Sequence, residues 1–62
     1  MMFSDRYDDE IAASAYRVST RLLGGESIVS VIDSLFKLGW YSHEVTRIIV
    51  LAKAICGRRA VS

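Results

Sequence analysis

A chain of 62 residues reads as one small domain, since domains run to roughly 100 to 200 residues. A domain this size buries only about 60% of the surface its unfolded chain exposes. With one cysteine, Cys56, and one histidine, His43, neither an internal disulfide nor a zinc site can reinforce it, so packing or oligomerisation must. A hydrophobic share of 52%, 24% charged residues and no proline exclude a disordered chain and suit uninterrupted helices.

The formal net charge of +1 provides no long-range field of the kind that marks a dedicated nucleic-acid binder. Residues 1 to 26 hold three basic and five acidic side chains (−2), and residues 27 to 62 five basic and two acidic (+3), which together give the +1. An acidic start and a basic end complement the poles of helices. Met1, Met2 and Phe3 lead straight into Ser4, Asp5 and Arg6, so no signal segment is expected. The strongly apolar run Ile48 to Ala52, bounded by Arg47 and Lys53, is far shorter than the roughly 20 residues of a membrane span. The unpaired cysteine suits a reducing, cytoplasmic setting.

In chain order the pattern predicts an all-α, three-helix domain covering about 5–23, 27–38 and 42–56, punctuated by glycines at Gly24, Gly25, Gly39 and Gly57, because glycine takes the left-handed conformation that ends a helix. In the first segment Tyr7, Ile11, Ala15, Val18 and Leu22 recur on one helical stripe, with Ser4 or Asp5 as cap. The second begins at a Ser27 cap and carries Ile28, Val31, Ile32, Leu35, Phe36 and Leu38 on one face, with Val29 outside it. The third begins at a Ser42 cap. Val45, Ile48, Ile49, Ala52, Ile55 and Cys56 share one side of it, Leu51 widens that side, and Val50 lies nearly opposite. This apolar arc is wider than one helix contact needs, which predicts self-association through Val50, Leu51 and Ile55.

Catalysis needs an activated nucleophile, paired carboxylates in a cleft, or a metal with open coordination, and the chain offers none in recognisable spacing. Ser42, His43 and Glu44 have simpler duties at a helix start. Asp8, Asp9 and Glu10 form a first-turn acidic cluster without a ligand loop. Cys56 falls on the apolar stripe, as a small core residue. No enzyme, cofactor or metal is expected.

Most of the functional signal lies between Ile32 and Ile49. Ile32, Leu35 and Leu38 precede Gly39 and Trp40, and Glu44, Val45, Ile48 and Ile49 follow. This stretch resembles the ubiquitin-associated (UBA) type of small helical domain, whose glycine-aromatic turn joins two helices; the resemblance implies a binding module. The same stretch is also similar to the helix-turn-helix of small phage repressors, with Tyr41, Ser42, His43, Thr46 and Arg47 toward a DNA groove. Two large adjacent aromatics at a turn are hard to bury together in so small a core, and aromatics with polar tips serve as interface anchors. The expectation is therefore a non-enzymatic protein-interaction module of the size of a phage regulator or inhibitor. It would bind a larger protein through Trp40, Tyr41, His43, Arg47 and Val50, and the alternative is a DNA-binding regulator.

Overall fold

A computed structural model describes the backbone of residues 2–61 and the side chains of residues 8–60; the expected stripe position of Tyr7 falls outside the latter. The chain forms three helices, α1 (Met2–Leu23), α2 (Ile28–Lys37) and α3 (Ser42–Val61), with no strand among the described residues. No helix of the described residues is long and apolar enough to cross a membrane.

Two identical turns set the topology. In the first, Glu26 N–H bonds Arg21 C=O and Gly25 N–H bonds Leu22 C=O, both at 3.1 Å. In the second, Trp40 N–H reaches Leu35 C=O at 3.2 Å and Gly39 N–H reaches Phe36 C=O at 3.0 Å. Both are Schellman closures, which need a left-handed residue at their centre; Gly25 (φ 98°) and Gly39 (φ 101°) supply it. The residue after each glycine turns back on its helix with opposite chemistry. Glu26 pairs with Arg21 through two hydrogen bonds, one of them Nε to Oε1 at 2.8 Å. That bonding holds the Glu26 carboxyl below the usual carboxylate range. Trp40 instead packs against the apolar core.

Two reversals bring α1 and α3 into parallel alignment. Arg47 lies 3.8 Å from Asp8 near one end. Near the other, Cys56 and Arg59 meet Ser19 and Thr20. Their seam is the core: Ile11, Ala15 and Val18 from α1 against Val45, Ile48, Ile49 and Ala52 from α3, with Val31 and Leu35 of α2 completing it. Ala15 and Ala52 are fully buried, and small residues four positions from Ile11 and from Ile48 let the two helix ridges approach closely. Ser19, also fully buried, donates to Tyr16 C=O at 2.6 Å and accepts from Arg59 at 3.2 Å, so its hydroxyl carries no desolvation penalty. Arg59 also bonds Thr20 at 2.9 Å and lies 5.1 Å from the centre of the Tyr16 ring. It ties the last turns of α3 to α1.

The expected boundaries hold for α2, where Ser27 accepts a cap bond from Ser30 N–H. Elsewhere they shift. Helix α1 starts at Met2, so Ser4 and Asp5 lie inside its first turn and do not cap it. Tyr41 precedes the first helical residue of α3, with its C=O accepting from Val45 N–H at 2.8 Å; Ser42 is thus inside the helix. Gly57 does not end α3, which continues to Val61. Its φ is not left-handed, and a glycine inside a helix costs only about 1 kcal/mol relative to alanine, too little to break a helix anchored beyond it by Arg59. A Cβ at position 57 would meet nothing within 4 Å. Gly57→Ala should therefore stabilise the domain by about 0.5 to 1 kcal/mol, read as a higher urea midpoint; a lower midpoint would show that the helix does not continue through Gly57 in solution.

Candidate interaction surface

The α2–α3 turn sends its two aromatics in different directions. The closure at Gly39 aims Trp40 back over the helix it ends, where it is half-buried against the core. Tyr41 follows as the cap position of α3, and its backbone N–H is held by the Glu44 carboxylate at 2.8 Å. This is the reciprocal half of a capping box, made without a serine at the cap. With its backbone fixed, the Tyr41 ring projects outward, 71% exposed, and stacks on the exposed His43 ring, centroids 6.1 Å apart and planes 9° from parallel.

Along α3 the exposed stripe continues through Arg47 and Val50, one and two turns beyond His43. Arg47 faces Asp8 at 3.8 Å with both side chains more than half exposed, an ion pair of the kind that contributes little to stability. Val50 is 61% exposed and forms part of a wall. Between α2 and α3 runs an open apolar groove of about 250 Å³, with Ile32 and Phe36 on one side and Ser42, Thr46, Ile49 and Val50 on the other. Val29, 73% exposed, extends the α2 wall by one further turn.

The residues expected at the site thus divide. Tyr41, His43, Arg47 and Val50 form one exposed strip beside the groove, whereas Trp40 belongs to the core's edge. The self-association residues divide as well: Val50 lines the groove, Leu51 is 40% exposed and lies 100° further round the helix, and Ile55 packs against the core. Phe36, assigned to the buried face of α2, is 48% exposed. Leu38 is largely exposed and borders a smaller cleft of about 150 Å³ shared with Arg17 and Arg21 of α1.

The groove had a visible signal. Ile28, Val29, Val31, Ile32, Leu35 and Phe36 occupy six of the ten positions in α2. Only Val31 and Leu35 are fully buried, because a ten-residue helix meets the other two along one narrow edge and leaves the rest of a wide arc uncovered. Cys56 is half-buried with its Sγ 3.5 Å from Ser19 C=O. Among the described residues no cluster of three metal-ligating side chains occurs.

No family model, curated protein or solved structure matches this chain.

Proposed function

We propose that this chain is a non-enzymatic interaction module that regulates or inhibits a larger protein by docking through the α2–α3 face. The observation that carries the reading is the stacked Tyr41–His43 pair, exposed at the start of α3 beside the open apolar groove. Exposed aromatic anchors beside an apolar depression are the features from which protein contacts draw most of their energy. The helix, glycine-aromatic turn and helix shared with UBA-type domains fit a small docking module of this kind. The DNA-reading alternative draws on the same stripe, but Arg47 has the Asp8 carboxylate beside it, and phosphate contacts dominate affinity for DNA.

The test is binding by tagged protein and two variants. Tyr41→Ala should weaken capture of the partner from the native host by at least about tenfold, the effect of losing an aromatic anchor, while Arg47→Ala, a rim charge, should change it little. Salt-sensitive binding to a DNA duplex, abolished by Arg47→Ala and indifferent to Tyr41→Ala, would reverse the assignment.

A further inference from the structure

Resting on that reading of the α2–α3 face, we infer that a second copy of this chain, related by a two-fold axis, fills the groove, with Phe36 of each copy entering the groove of the other and the Tyr41–His43 pair beside it left to the larger partner. A face can pair with itself about a two-fold only if it presents both a projection and a recess and if its charges are self-complementary. This face does both. Phe36 stands half-exposed on the wall of the groove it helps to form, so one surface holds the knob and the hole.

The charges on α2 follow the same logic. Asp33 and Lys37 lie one turn apart on its exposed side and form an ion pair at 3.0 Å. An acid followed by a base along a helix is antisymmetric. When the helix meets its own copy antiparallel, with the axis midway between the two residues, each carboxylate faces the other chain's ammonium and no like charges are forced together. The α2 wall is thus neutral to itself, whereas the exposed α1 acids Asp9 and Glu10 would repel their own copies.

Area supports the same occupant. Phe36 and Val50 are 48% and 61% exposed on opposite walls of one groove, and a standard interface takes about 800 Å² per partner, roughly a sixth of the 4598 Å² surface of this chain. A chain of this length, with neither disulfide nor metal, gains most from such a partner.

Sedimentation velocity over a range of concentrations tests the inference. The intact chain should move from its 6.9 kDa mass to twice that value by high micromolar concentration. Phe36→Asp and Val50→Asp, on opposite walls and both exposed in the single chain, should each weaken association by at least about tenfold with the helical circular dichroism retained; either serves if the other fails to fold. Leu38→Asp, at the cleft on the α1 side, should leave association unchanged. Asp33→Lys and Lys37→Asp should each weaken the dimer, and mixing the two variants should restore it, a rescue between chains that the intrachain Asp33–Lys37 pair, broken in both, cannot mimic.

A single-chain mass at every concentration, or a dimer broken by Leu38→Asp and indifferent to Phe36→Asp and Val50→Asp, would overturn the inference. If the chain stays single while Tyr41→Ala still abolishes capture of another protein, the inference falls and the docking function stands. If it stays single and Tyr41→Ala has no effect on capture, both fall.

Discussion

Ile48→Ala should leave the domain largely unfolded at room temperature. Ile48 is fully buried at the centre of the α1–α3 seam, among Ile11, Ala15, Val45 and Ala52. Truncating such a side chain removes its transfer free energy and leaves a cavity, together about 2 to 5 kcal/mol. The core of a domain this small supplies about 3 to 5 kcal/mol of net stability, so the loss approaches the whole. Urea denaturation followed by circular dichroism measures it, with Glu10→Ala as a control. Glu10 is exposed on α1, and its truncation should change stability by less than about 0.5 kcal/mol. A loss below about 1 kcal/mol for Ile48→Ala would mean that the two long helices do not pack as described.

Trp40→Ala and Tyr41→Ala should have opposite signatures although the residues are adjacent. Trp40 closes the α2 turn and covers the core, so its truncation should cost about 2 to 4 kcal/mol, somewhat under the range for a fully buried tryptophan because part of the ring is already in water. Tyr41 is 71% exposed, and its only described ring contact is the stack on His43; its truncation should leave stability within about 0.5 kcal/mol of the parent and reduce partner binding. Measuring unfolding and binding on both variants separates the roles. Equal losses of stability would place both rings in the core, and a binding defect confined to Trp40→Ala in a folded protein would move the contact surface to the other side of the turn.

The local structure was legible because its causes are local. Gly25 and Gly39 had to be turn residues, since a left-handed backbone excludes nearly every other side chain, and Ile11, Ala15 and Val18 had to share a face, since 3.6 residues per turn puts them there. The same local reasoning failed at Gly57. Its conformational preference is weak, and the hydrogen bonds of Arg59 to Ser19 and Thr20 across 40 and 39 residues of chain outweigh it. Capping failed by one residue at α3 for a related reason: Glu44 can close the helix end from inside the first turn, so Ser42 is not needed at the cap.

Periodicity says which apolar residues lie together on a helix but not which arc another helix will cover. In α3 the widest apolar arc is not the open one: α1 packs along much of it and Ile55 lies against the core. In α2 Phe36 and Val29 remain in water, because a ten-residue helix set against two long parallel ones has no neighbour on that side. The amino-acid sequence by itself determined three helices, two glycine turns and the residues of the α1–α3 seam, each through steric or periodic rules acting over a few residues. Only the tertiary structure decided that Trp40 turns inward, that Tyr41 meets His43 outside, and that the groove opens between α2 and α3, because coverage depends on helix lengths and crossings that no single stretch of chain encodes.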